Sequence, residues 1–217
     1  MSETLSSENA HCRLTLTATT EAAGALLLHC HVTNNSATVL YLCDQLYQLS
    51  QPAPATGEPV HELLPDLVHT QVDTLGIHLD KAIMDLSFHD GIQGLDIPFL
   101  TRLEPDQEHA QLIRLALPLS PYRVLGLPPG EAAPTLLPLR FTVGYFVDSA
   151  DVEQHLTKVP TVQGPALRMK QFMYRAQQTI TAGPFQQPFP VANAVPHATP
   201  HAVSAAAWTP WGAQPNN

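Results

Sequence analysis

Apolar and polar residues alternate with a period of two over much of the chain, the pattern of strands that bury one face. In residues 12–19, Leu14, Leu16 and Ala18 point one way, and Arg13, Thr15 and Thr17 the other. After a turn at 21–24, residues 25–33 set Leu26, Leu28, Cys30 and Val32 against Leu27, His29, His31 and Thr33. Asn34-Asn35-Ser36 is turn chemistry, because asparagine tolerates positive φ. Residues 39–43 are apolar on both sides, which predicts a central strand. Residues 82–89 place Met84, Leu86 and Phe88 inward. The segments 99–103 and 109–119 flank Glu104-Pro105-Asp106-Gln107, a sequence suited to a type I turn, so a hairpin is predicted there. The cleanest alternation is in 139–147, where Leu139, Phe141, Val143, Tyr145 and Val147 share a face. Residues 166–180 fit two periods. Met169, Phe172, Met173, Ala176 and Ile180 have helical spacing, but the β-forming Thr179-Ile180-Thr181 favours a strand.

Between these segments, residues 51–66 are rich in proline and acids and read as a connecting loop. From residue 184 onward the periodicity fades, and seven of the 21 prolines fall in this last part. The chain therefore divides into a flexible N-terminus (1–10), a β domain (11–185) and a disordered Pro/Ala/His-rich tail (186–217) carrying Trp208-Thr209-Pro210-Trp211. Seven or eight strands with turns between them predict an all-β fold, an antiparallel β-sandwich with a disordered C-terminal tail. The stretch from His31 to Leu42 resembles the strand–turn–strand of bacterial immunoglobulin-like domains. That resemblance implies an immunoglobulin-like sandwich and no particular functional residues.

Composition narrows the function classes. Hydrophobic residues make up 44% and charged residues 13%, which is enough apolar material for a core. The net charge is −9 and no basic cluster is denser than Arg168, Lys170 and Arg175, which argues against nucleic acid. The first ten residues lack the charged and apolar regions of a signal peptide, and no apolar run reaches membrane-spanning length. The expectation is a cytoplasmic protein with no membrane association, its three cysteines (Cys12, Cys30 and Cys43) reduced.

Catalytic signatures are missing: there is no GxSxG elbow, P-loop or GxGxxG. His61-Glu62-Leu63-Leu64-Pro65 begins like a zinc-binding HExxH, but Pro65 stands where the second histidine belongs. His29 and His31 point to one face of a strand and are the metal candidates, though further ligands would be needed. Cys30 alternates with Leu28 and Val32 and reads as a small buried hydrophobe. Trp208 and Trp211, with Pro210 between them, are the aromatic anchors of a partner-binding segment. The reading is a non-enzymatic interaction or structural module without a cofactor, its tail docking on a protein partner or a neighbouring subunit. The alternative is a ligand- or metal-binding protein, possibly catalytic, that uses the His29/His31 face. Phe141→Ala or Tyr145→Ala should cost about 3–5 kcal/mol in urea unfolding, because each removes a large ring from the best-patterned strand. A cost below about 1 kcal/mol for both would mean the strand is misread.

Overall fold

The computed structural model describes residues 2–22, 24–49, 60–85, 94–121 and 133–192. Eighteen strands lie among them. The first eight are β1 (Ser2–Glu8), β2 (Cys12–Thr20), β3 (Ala25–Asn34), β4 (Leu40–Gln45), β5 (Tyr47–Leu49), β6 (His61–Leu63), β7 (His69–Asp73) and β8 (Gly76–Lys81). Then come β9 (Met84–Asp85), β10 (Leu95–Asp96), β11 (Phe99–Leu103), β12 (Glu108–Ala116), β13 (Thr135–Leu137) and β14 (Leu139–Val147). After helix α1 (Ala150–His155) follow β15 (Leu156–Val159), β16 (Ala166–Met169), a 3-10 turn (Gln171–Ala176), β17 (Gln178–Ala182) and β18 (Phe189–Val191). The protein is mostly β, with several sheets. No helix of the described residues is long and apolar enough to cross a membrane.

A four-stranded sheet has the order β1-β2-β3-β12, and a larger one the order β15-β16-β11-β4-β14-β8-β7, with β17 also pairing β14. The alternating apolar residues account for how they meet. Leu14, Leu16, Leu26, Leu28, Val32 and Ile113 of the smaller sheet share one core with Leu40, Leu42, Ile77, Leu79, Leu139, Phe141 and Tyr145 of the larger. The opposite face of the larger sheet is also buried, by Val152 of α1 and Met173 of the 3-10 turn packing on Tyr41, Cys43 and Phe146. That two-sided burial is why residues 39–43 are apolar on both sides.

β14 organises the larger sheet. Tyr145 stands opposite Gln178 of β17 on one edge and Leu42 of β4 on the other. Earlier in β14, residues 139–143 pair with β8, and this ladder is parallel, so the expected all-antiparallel arrangement does not hold. β8 and β4 thus follow one another along the same edge of β14. The strand count is likewise larger than the expected seven or eight, because short pairs such as β5–β6 and β13–β18 add small sheets.

Three further expectations are corrected. The segment expected to be a flexible N-terminus contains β1, which pairs with β2 from Ser2↔Thr19 to Glu8↔Arg13, with Leu5 packed on the core. Residues 186–192, assigned to the tail, belong to the fold: β18 pairs with β13, and the Ala192 amide donates to the Leu119 carbonyl. The expected hairpin of 99–103 with 109–119 does not form, since β11 pairs with β4 and β16 while β12 pairs with β3. The turn between them is real, with the Gln107 amide donating to the Glu104 carbonyl at 3.1 Å, but it carries the chain from one sheet to the other. Asp106 has φ 58°. Positive φ at the third position is the type II pattern, not type I. Residues 166–180 do not form the one strand expected: they divide among β16, a 3-10 turn and the start of β17, and Phe172 and Ala176, which both expected faces included, are exposed. Leu86 and Phe88 lie outside the described residues.

The turn after β3 crosses between the same two sheets in the opposite direction, and Asn34 joins the two crossings. Its side-chain amide donates to the carbonyls of Thr38 (2.8 Å) and Leu103 (3.0 Å) and accepts from the Ser36 amide (2.9 Å) and hydroxyl (2.7 Å). Its backbone donates to the Gln107 carbonyl and accepts from the Asp106 amide, both at 3.0 Å. Asn34 is 0% exposed, so its own side-chain and backbone polar groups are withdrawn from water. Asn34→Ala should lower stability by about 2–4 kcal/mol in urea unfolding, since it strands the buried Leu103 carbonyl and breaks the link between the two turns. Asn34→Asp should cost at least as much, because its carboxylate would face the carbonyls of Thr38 and Leu103. A loss under about 0.5 kcal/mol for both would show that water replaces the amide.

Candidate functional site

A buried polar cluster forms around Asp44 and Lys81, where β4 leaves β14. Opposite β11, β4 shifts register: Leu42 pairs with Thr101 and Gln45 with Phe99, so Cys43 and Asp44 together face the single residue Leu100. Such a bulge kinks the strand and re-aims its side chains. Asp44 turns its carboxylate toward Thr101, whose hydroxyl donates to Oδ2 at 3.0 Å, and toward His109 Nε2, 2.8 Å from the same oxygen. Asp44 Oδ1 has no hydrogen-bond partner among the described residues.

Lys81, the last residue of β8, fills the space beside the bulge and is 1% exposed. Its Nζ donates to the carbonyls of Asp44 (2.8 Å) and Pro65 (2.6 Å) and to Gln111 Oε1 (2.9 Å). Three acceptors match the three protons of an ammonium. Burial nevertheless pulls its pKa down to about 8, partly offset by the charge of Asp44. Cys30 lies near this pair, and burial pushes its thiol up to about 12. A thiol so raised stays protonated and is not a nucleophile at neutral pH.

His109 and Gln111 belong to β12, so this cluster ties the inner face of β12 to the larger sheet. On its free side β12 pairs with no strand among the described residues. Its outer face shows Ala110 and the 49% exposed Leu112. These stand beside the two candidate histidines, with Ala110 opposite His31 and Leu112 opposite His29. On the other flank, Thr15 faces His31 and Thr17 faces His29. Both histidines are exposed, as the alternation predicts, and His31 Nδ1 lies 3.9 Å from Glu108 Oε2. Among the described residues no group of three or more His, Cys, Asp or Glu side chains is placed to hold a metal ion. Cys30 is buried in the core, as its alternation with Leu28 and Val32 predicts. Trp208, Pro210 and Trp211 lie outside the described residues.

Sequence reasoning passed over Lys81 and Asp44. Lys81 carried a readable signal, since it follows Ile77 and Leu79 at inward positions of one strand, and a lysine there needs acceptors. Asp44 carried none, because the bulge that turns it inward depends on β11. Comparison with protein-family models, curated proteins and solved structures finds no match to this chain.

A lysine whose folded pKa is about 8 holds its proton less tightly than the unfolded chain, where the ordinary value is 10.5. Between these values the unfolded state binds more protons, so the Lys81 contribution to stability rises with pH. Relative to Lys81→Met, the wild type should gain on the order of 2–3 kcal/mol from pH 7.5 to pH 10.5. The comparison cancels the opposing titration of cysteines and tyrosines. Urea unfolding of both proteins across the range checks it, and a difference that is flat or falls with pH would refute the assignment.

Proposed function

We propose that this chain is a non-enzymatic interaction module of immunoglobulin-like sandwich type, which docks a protein partner along β12. The observation that carries the reading is the unpaired side of β12, nine residues long and paired only with β3 among the described residues. An extended segment can hydrogen-bond to such an edge and place alternate side chains on the faces beside it. Edges not meant for pairing are blunted by proline, inward charges or bulges. The middle of β12, Ala110-Gln111-Leu112-Ile113, has none of these, and its charges stand toward the ends at Glu108 and Arg114.

The C-terminal residues fit the same reading. The last described residue, Ala192, bonds to Leu119, three residues beyond the end of β12. Trp208 and Trp211, with Pro210 limiting the backbone between them, would add anchors of about 2 kcal/mol each on a partner or neighbouring subunit. The fold extends through Ala192, so the informative truncation ends there.

Sedimentation and partner capture should compare the full chain, the chain ending at Ala192, and Leu112→Lys. Both variants should lose binding or self-association, with unfolding unchanged within about 0.5 kcal/mol. Equal association by all three would sink the proposal. The tryptophans are the only two in the chain, so their fluorescence reports on the tail. Emission should be red-shifted and iodide-quenched in the dilute monomer and blue-shift on binding. Emission already blue and protected in the monomer would place the tail on its own domain instead.

A further inference from the structure

A second polar cluster is built around Arg168, on the β16 side of the larger sheet. Arg168 pairs across the ladder with Phe99 of β11. Its guanidinium carbon lies 5.0 Å from the Tyr47 ring centroid and 5.4 Å from that of Phe99. Nη2 donates to the Tyr47 hydroxyl at 2.8 Å, and Nη1 lies 3.4 Å from His61 Nε2. A guanidinium only donates, so that histidine nitrogen carries the lone pair. The three rings pack edge to face, with centroids 4.8 Å apart for Tyr47 and His61, 5.4 Å for Tyr47 and Phe99, and 5.2 Å for His61 and Phe99. β5 and β6, which supply Tyr47 and His61, pair with each other, and this positions both side chains.

Among the described residues the charge at this point is held without a direct ion pair. Arg13, Arg102 and Arg114, all exposed, pair with Glu8, Glu104 and Glu21 at 3.0, 2.9 and 2.8 Å. Arg168 is half-buried, yet no carboxylate lies within ion-pairing distance of it among the described residues. Asp96 acts on the Tyr47 phenol, as Arg168 does, and lies 3.3 Å from His69. A guanidinium cannot shed its proton to relieve burial. Two of its five N–H groups are engaged by neutral acceptors, and the rest have no partner among the described residues.

We infer that Arg168, fixed among Tyr47, His61 and Phe99, is a receptor for the carboxylate of a small organic acid. The planar fork of a guanidinium matches the two oxygens of a carboxylate, and stacking on two rings has already removed the freedom that binding would otherwise cost. A monoanion fits better than phosphate, because Asp96 behind Tyr47 and the net charge of −9 repel a dianion more strongly. This site is separate from β12 and does not depend on the reading of that edge.

His61 supplies the readout. Its pKa lies below the ordinary value, through burial first and then the charge of Arg168. A carboxylate seated on Arg168 offsets the second cause, so binding moves the His61 titration upward. The experiment follows the His61 ring by NMR in the full chain, its resonance assigned through His61→Gln so that His69 is not mistaken for it. Sodium acetate and sodium benzoate are compared with sodium chloride and sodium phosphate at equal ionic strength. At least one carboxylate should shift the midpoint upward saturably, and chloride should not. Arg168→Gln should start from a higher midpoint and respond to none of them. Arg168→Lys keeps the charge without the fork and should bind about 10-fold more weakly. No saturable shift with either carboxylate overturns the inference, and so does an equal response in Arg168→Lys. Saturation by phosphate but by neither carboxylate would overturn the choice of ligand class.

Discussion

The layered arrangement depends on the buried amide of Asn34. Two crossings carry the chain between the sheets in opposite directions, β3 to β4 and β11 to β12, and the paired strands β3 with β12 and β4 with β11 lie on either side of them. Each crossing turns backbone carbonyls away from both ladders. Asn34 takes up two of these and an amide and a hydroxyl of Ser36, while its own backbone holds Asp106 and Gln107. A strand displaced by one residue turns its apolar set outward. By clamping one turn to the other, Asn34 holds the two ladders in the relation in which Leu26, Leu28 and Val32 share a core with Leu40 and Leu42.

From that alignment the polar interior follows. β4 arrives next to β14 but has to share its edge with β8, and the bulge at Cys43 and Asp44 absorbs the difference in register. Carbonyls at such a departure need donors. Lys81 supplies one to Asp44 and a second to Pro65, and through Gln111 it reaches β12. The inner side of β12 is therefore tied to the larger sheet by polar contacts from Gln111 and His109, whereas Ile113 belongs to the apolar core. A partner on the outer edge would meet a strand already held straight and in place.

The sequence disclosed the strands that bury one clean face and hid those whose partners do the burying. Residues 12–20, 25–34 and 139–147 alternate because one side of each lies on the shared core. Ser2–Glu8 has only Leu5 as an apolar inward residue, so no period could be read, although its pairing with β2 is complete. The hairpin of β7 and β8 does alternate through Val72, Ile77 and Leu79, but its ends are the buried His69 and Lys81 and its turn exposes Leu75. Polarity inside and a leucine outside invert the expected pattern. The error at Glu104–Gln107 has a different source: a turn motif specifies local backbone shape and says nothing about which sheet receives the next strand. For the candidate sites, exposure of His29 and His31 was legible from alternation alone. Arg168 was not, because Tyr47, His61 and Phe99 come from three strands distant in sequence.

Lys81, buried, and Arg168, half-buried, show how the same fold treats two cations differently, and the difference is chemical. Lys81 has an acceptor for each of its three protons, and it can also give one up, which is the meaning of a pKa near 8. Each of its protons is taken, and among the described residues Asp44 Oδ1 alone of this cluster is unpartnered. Arg168 cannot lose its proton, and its partners among the described residues are a phenol, an imidazole and two ring faces, none of which carries the opposite charge. Rings hold a guanidinium in position at a small cost in entropy, but they leave most of its demand for hydrogen-bond acceptors unmet. A side chain so held is prepared for an anion in a way that a saturated lysine is not. The arginine is therefore the group on which an anion could settle, while the lysine serves the fold.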